Sequence, residues 1–112
     1  MGYAAFAITD QRTSPRRKLS GLLPGKMTIA SSDKALSCKP IDVSIHGLGM
    51  ISPDLLAVGD QLILTTHDQA IAFKVAWAKP DFGKRDLYRY GLASTDQSVN
   101  VEAIFAATGC LK

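Results

Sequence analysis

The chain has 112 residues, 46% hydrophobic and 21% charged, a composition that excludes a disordered protein and leaves room for one folded domain. Its two cysteines are too few for a disulfide framework and lack the spacing of metal ligands. The apolar opening Met1–Ile8 is too short for a signal peptide or a membrane span. We therefore expect a single cytoplasmic domain over residues 1–112 that needs no metal and no cofactor.

Positive charge is concentrated near the N-terminus. The formal net charge is +3, and Arg12, Arg16, Arg17 and Lys18 lie close together in the sequence. They belong to residues 1–25, where turn formers and charges without apolar periodicity predict a flexible, irregular segment. Cations clustered at one end suit a compact anionic ligand, whereas a nucleic-acid binder would spread them along a face. We therefore expect neither DNA nor RNA as a partner.

Short strands with turns between them are predicted over residues 26–94. Alternating apolar and polar residues predict strands near residues 26–29, 35–43, 47–51, 61–66, 70–78 and 87–93. Pro40 interrupts the second run and predicts a bulge or an edge position. Ile71, Phe73, Val75 and Trp77 recur at period two, so all four, Trp77 included, are expected to face the core. Strands of this length with turns between them are typical of a sandwich or a barrel.

A single helix is predicted for the C-terminal segment 98–108, beginning at about residue 99. Ser98 is the expected N-cap, and Gly109 is the expected stop after the helix. Three apolar residues recur at helical spacing and should pack against the sheet: Val101, Ile104 and Phe105.

Two motifs stand out as candidate binding elements. The first is an R-x-x-x-R spacing formed by Arg12 and Arg16, and the same spacing recurs at Arg85 and Arg89, which shows that it is weak alone. The second is the D-x-S-x-x-G run from Asp42 to Gly47, which occurs once. The arginines fall in the predicted loop, and the second motif falls where one strand ends and the next begins.

This pair of motifs, in this order, resembles the signature of the bacterial PilZ family. The strands that follow are similar too, with the segments Gly47–Met50, Val58–Leu62, Val75–Trp77 and Tyr88–Leu92 ahead of a C-terminal helix. The resemblance implies an all-β fold, a six-stranded antiparallel β-barrel of the split-barrel type with one C-terminal α-helix. It also implies that the ligand is the second messenger cyclic di-GMP. An enzyme is not expected, because His46 and His67 are the only histidines and the sequence has no P-loop, dinucleotide or zinc pattern.

The resemblance also assigns roles to particular residues. Carried over by motif, the ligand-binding residues are Arg12, Arg16, Asp42, Ser44 and Gly47. Guanidinium groups fork onto guanine or phosphate, a carboxylate accepts from guanine N–H donors, and glycine lets the ligand approach the backbone. Arg17 is a possible secondary contact. Trp77, if it lay at the rim instead of in the core, could stack on a guanine.

Three functions remain open at this point. The first is a cyclic di-GMP receptor that changes conformation on binding and regulates an effector protein. The second is a protein-interaction adaptor of the same fold that binds no nucleotide. The third is a small basic barrel that binds single-stranded nucleic acid, which would need several exposed aromatic residues beside the basic groove.

Gly49 is interpreted only as a candidate bulge residue.

Overall fold

The computed structural model describes residues 16–80 and 86–111, and within them the chain is mostly β. The strands are β1 (Arg17–Lys18), β2 (Lys26–Ile29), β3 (Lys39–Val43), β4 (Gly47–Ser52), β5 (Gln61–Thr65), β6 (Ala70–Pro80) and β7 (Tyr88–Ser94). One helix, α1 (Val101–Ala107), follows the last strand. The predicted all-β class with one C-terminal helix is confirmed. In the described part of the chain no helix is long and apolar enough to cross a membrane.

The strands form one antiparallel sheet in the order β1-β3-β4-β7-β6-β5-β2. This adds a seventh strand, β1, to the six expected, because Arg17 and Lys18 pair with Val43 and Asp42. The sheet is not closed into a complete barrel, since no ladder joins β1 to β2 among the residues described. The pairing of β1 was not visible in the sequence because two charged residues carry no apolar alternation.

The inner face of the sheet carries the core. Alternate residues of the strands point inward and are almost fully buried, as period-two side-chain direction requires. Helix α1 adds Val101 and Phe105, as predicted from their helical spacing. The fully buried large side chains are Met27, Val43, Leu48, Met50, Leu62, Leu64, Ile71, Phe73, Val75, Tyr90, Val101 and Phe105.

The start of α1 differs from the expectation. Asn100, not Ser98, is the N-cap, and its side-chain oxygen accepts from the Ala103 N–H at 3.0 Å. Ser98 instead donates its hydroxyl and its backbone N–H to Asp96 Oδ1, at 2.6 and 2.9 Å, and these bonds lower the pKa of the Asp96 carboxyl. The helix therefore begins two residues later than its sequence suggests. Gly109 follows the helix with φ +76°, which agrees with its predicted role as the stop.

Two bulges interrupt the sheet. The β3–β4 register shifts between Pro40 and Asp42, as the proline predicted, and the β6–β7 register shifts between Val75 and Trp77. A bulge adds one residue to one strand, so the residues that follow it change face. Pro40 and Val43 are both buried, although they are three residues apart, and Asp42 consequently lies on the outer face.

Candidate ligand-binding site

Arg16 joins the two sequence motifs in space. Its Nε and Nη2 atoms both donate to Asp42 Oδ1, at 3.0 and 2.6 Å, and its Nη1 atom donates to Ser44 Oγ at 3.4 Å. The Arg16 and Asp42 side chains are 44% and 34% exposed, so water screens the ion pair. A pair of this kind contributes less than about 1 kcal/mol to stability. The arrangement holds the groups in position more than it stabilises the fold.

Strand pairing explains why these groups meet. Because Arg17 and Lys18 pair with Val43 and Asp42, the chain just before β1 runs beside Ser44. Ser44 in turn donates its backbone N–H to the Gly47 carbonyl at 3.0 Å, which closes the turn between β3 and β4. Arg16 is therefore held beside the second motif by the pairing of β1 with β3 as well as by charge.

Two glycines of β4 make space for this cluster. A Cβ atom at Gly47 would lie 3.2 Å from Ser44 Oγ and 3.5 Å from Arg16 Nη1. A Cβ atom at Gly49 would overlap the Asp42 carboxylate and lie 3.5 Å from Arg16 Nη2. The Asp42 carboxylate can take this position only because Gly49 carries no side chain, whereas a Cβ atom at Gly47 would make a tight contact with Ser44. Gly47 was predicted as a site residue, but Gly49 was not recognised as one.

A row of cross-strand partners extends from Asp42 across the outer face. Asp42 pairs with Gly49, Gly49 with Gly91, and Gly91 with Trp77. A Cβ atom at Gly91 would overlap the indole of Trp77, so that ring lies directly over the glycine. We call this strip of the outer face, with Arg16 and Asp42 lying on Gly47 and Gly49 and with Trp77 lying on Gly91, the glycine groove. Three inter-strand spacings make the row about 14 Å wide.

Trp77 is not a core residue, which corrects the prediction from its period-two spacing. Ile71, Phe73 and Val75 are buried as expected, but Trp77 is 44% exposed. The bulge after Val75 turns Trp77 to the outer face, where Lys79 Nζ lies 5.2 Å from its ring centroid. A bulge of this kind leaves no clear signal in the sequence. It brings Trp77 to the rim position from which an aromatic ring could stack on a guanine.

The remaining candidates lie apart from this cluster. Arg17 donates from Nη1 to Glu102 Oε2 of α1 at 3.2 Å. This contact connects β1 to the helix and not to Asp42. Arg12 lies outside the described residues, as does Arg85 of the second R-x-x-x-R spacing. The structure therefore brings together Arg16, Asp42, Ser44 and Gly47.

The structure gives no support for a metal centre or a reactive thiol in the part it describes. No group of three or more His, Cys, Asp or Glu residues there could hold a metal ion. Cys38 and Cys110 are free cysteines. Burial, with a smaller effect from the Asp54 carboxylate, raises the pKa of Cys38 to about 11. This thiol is therefore protonated, and a poor nucleophile, near neutral pH.

The fold and the site define the class, an all-β domain with a polar groove on the outer face of its sheet. The profile of the PilZ domain family matches residues 10–107. The chain belongs to the PilZ domain family, the family of cyclic di-GMP receptor and adaptor domains. Among curated proteins, none matches this chain.

Proposed function

We propose that the protein is a cytoplasmic bacterial receptor that binds cyclic di-GMP in the glycine groove and regulates an effector protein. The observation that supports this best is the contact of Arg16 with both Asp42 and Ser44 over Gly47 and Gly49. This contact brings Arg16 of the first motif onto the second motif. The ligand-binding residues of the proposal are Arg12, Arg16, Asp42, Ser44 and Gly47, with Arg17 and Trp77 as secondary contacts.

The chemistry of the groove fits a guanine dinucleotide. Asp42 receives both Arg16 bonds on Oδ1, which leaves Oδ2 directed to other donors. A guanine presents two adjacent N–H donors on its Watson–Crick edge, and a carboxylate accepts from them. The Arg16 guanidinium, which is exposed, can fork onto guanine O6 and N7 or onto a phosphate. Trp77, at the far end of the row, offers an aromatic surface for a base.

Signalling would follow from ordering the residues that precede β1. In the proposal β1 stays paired with β3, and the two phosphates of the ligand attract Arg12 toward Arg16. The chain before β1 would then present a new surface to the effector. Amide hydrogen exchange at residues 10–14, with and without cyclic di-GMP, measures this change. The proposal requires protection that increases on binding.

Calorimetric titration with cyclic di-GMP and cyclic di-AMP tests the binding step. We expect a dissociation constant in the micromolar range, about −8 kcal/mol, for cyclic di-GMP. Arg12→Ala and Arg16→Ala should each weaken it by about tenfold or more, since each removes a charged, forked contact. Asp42→Ala should also reduce the preference for cyclic di-GMP over cyclic di-AMP.

Arg85→Ala is the matched control, because Arg85 begins the other R-x-x-x-R spacing of the chain. It should leave the affinity nearly unchanged. An Arg85 effect as large as that of Arg16 would show that the motif assignment is wrong. Absence of binding to the wild-type protein would favour the adaptor that has no nucleotide ligand.

A further inference from the structure

The strands of the sheet carry almost only positive charge. Their charged residues are seven cations and one acid: Arg17, Lys18, Lys26, Lys39, Lys74, Lys79 and Arg89, against Asp42. That single carboxylate is bound to Arg16. The other described acids lie in turns, loops or the helix: Asp33, Asp54, Asp60, Asp68, Asp86, Asp96 and Glu102. The sheet surface therefore attracts anions although the net charge is only +3.

Strand β6 concentrates this property on the outer face. Lys74, Trp77 and Lys79 are all exposed, and they share that face because Phe73 and Val75 point inward and the bulge then reverses the alternation. Lys79 also pairs directly with Arg89 across β7. Two like charges at opposed positions of an antiparallel pair destabilise a sheet. The position of these two cations side by side therefore adds nothing to the stability of the sheet.

Neither Lys79 nor Arg89 forms an ion pair with another described residue. The two ion pairs among the described residues are Arg16–Asp42 and Arg17–Glu102. The Nε atom of Arg89 is buried and has no hydrogen-bond partner there. Lys79 contacts the Trp77 ring. Such a pair would be stabilised by an anionic group placed over β6 and β7.

One edge of β6 is open beside these cations. The β5 ladder covers β6 from Ala70 to Lys74, and Val75 makes the last backbone bonds on that side, to Gly59 and Asp60. From Ala76 to Pro80 the strand is exposed and, within the described residues, pairs only with β7. An extended peptide can add to an edge of this kind through its main chain.

We propose that this edge and face, which we call the β6 ridge (Lys74, Trp77, Lys79 and Arg89), dock an extended acidic segment of a partner protein. Alternate side chains of an extended segment are about 7 Å apart, so carboxylates can reach Lys74 and the Lys79–Arg89 pair while an intervening side chain covers Trp77. The segment would pair with β6 at residues 76–80.

Two other occupants fit the ridge less well. A second copy of the chain would bring Lys79 against like charge, and a lysine on an edge discourages pairing between identical edges. Single-stranded nucleic acid needs several aromatic platforms, whereas Trp77 is the one exposed aromatic residue among those described.

Trp77 is the only tryptophan of the chain, so its fluorescence reports on the ridge. The probe is an extended peptide of about twelve residues that repeats Glu-Thr-Val-Thr, which places two carboxylates on one face with a valine between them to cover Trp77. We expect saturable binding that weakens as salt screens the charges. Lys79→Glu and Arg89→Glu should each reduce the affinity by about fivefold or more, since each turns an attraction into a repulsion.

Lys26→Glu is the matched control, because Lys26 is an exposed strand lysine on β2, in line with Thr65 and Ala70 and therefore at the other end of β6 from residues 76–80. It should leave peptide binding unchanged. Peptides methylated at alternate backbone nitrogens, in each of the two registers, test strand addition, and one register should lose affinity. Arg16→Ala should retain peptide binding even though it loses cyclic di-GMP, so the two proposals can fail separately.

Several outcomes would overturn the inference. They are an equal loss in Lys26→Glu, tighter binding of an oligo-dT strand of similar length, equal tolerance of both methylated registers, or no Trp77 response to the peptide. Tighter oligo-dT binding would instead identify a nucleic-acid surface.

Discussion

The two faces of strands β4 and β7 are built from different residues at alternate positions of the same chain. On the inner face Leu48, Met50 and Tyr90 are almost fully buried and fill the core. On the outer face Gly49 and Gly91 alternate with them and carry no side chain at all. The inner residues exclude water, and the outer ones leave room for the Arg16–Asp42 pair and for Trp77.

This difference shows that stability and binding can be separated within a few ångströms. A substitution on the inner face should act on the free energy of unfolding and leave the groove intact. A substitution on the outer face should act on ligand affinity with little effect on unfolding. Three variants examine that separation.

Leu48→Ala should have the largest effect. Leu48 is fully buried, and its truncation leaves a cavity in the core. We expect a loss of about 2–5 kcal/mol in the free energy of unfolding. Urea denaturation measures it, and cyclic di-GMP affinity in the absence of urea should stay close to that of wild type. A folded variant that lost ligand affinity would show that the two faces are coupled.

Gly49→Ala, one residue away, should have the opposite profile. Its methyl group would overlap the Asp42 carboxylate, so Asp42 and Arg16 must move apart or away from the sheet. We expect cyclic di-GMP to bind about thirtyfold more weakly, about 2 kcal/mol. Adding Gly49→Ala to Asp42→Ala should cost little more than Asp42→Ala alone, because the methyl group then has no carboxylate to displace. Additive losses would place the effect elsewhere.

Tyr90→Phe should have the smallest effect and tests a polar contact within the inner face. The Tyr90 hydroxyl donates to the Asp54 carbonyl at 2.7 Å and accepts from the Leu56 N–H at 2.9 Å. Removing it should lower the free energy of unfolding by about 1.5 kcal/mol, because two backbone groups lose their partner. Tyr88→Phe, on the same strand, is the half-buried control.

The buried phenol of Tyr90 also predicts how the free energy of unfolding depends on pH. Burial raises the pKa of Tyr90, against a smaller opposite effect of the Leu56 N–H bond. The folded protein therefore keeps the phenol protonated where the unfolded chain loses its proton. This stabilisation is complete below about pH 10 and is lost as the pH rises through the folded-state pKa. Tyr90→Phe should remove this part of the alkaline decline, and an unchanged decline would contradict the assignment.

Residues fixed by a motif or by simple alternation were predictable from the sequence. The buried positions Ile71, Phe73 and Val75 followed from period two. The motif pair named Arg16, Asp42 and Ser44, and the structure places these three side chains in contact, while their role in ligand binding stays a prediction. Gly49 and Gly91 were missed as groove residues, because a glycine within a strand has several explanations until its cross-strand partners are known.

The main wrong prediction, that Trp77 faces the core, results from a bulge that the sequence does not show. Trp77 continued the alternation of β6 without interruption in the sequence, yet the extra residue after Val75 places it outside. The helix cap was misplaced for a local reason, since Ser98 and Asn100 are both good caps and the turn at Asp96 uses the first of them. The face on which Trp77 lies and the residue that caps the helix can be assigned only when tertiary contacts are known.

The two bulges make the outer face tolerant of a change in chain length. Asp42 and Trp77 reach the outer face because each strand accommodates a single extra residue, at Ile41 and at Ala76. Deletion of Ile41 would join Pro40 to Asp42, and deletion of Ala76 would join Val75 to Trp77, so alternation would become regular while the carboxylate and the indole kept their face. Loss of one codon at either place would therefore preserve the pairing of Asp42 with Gly49 and of Trp77 with Gly91.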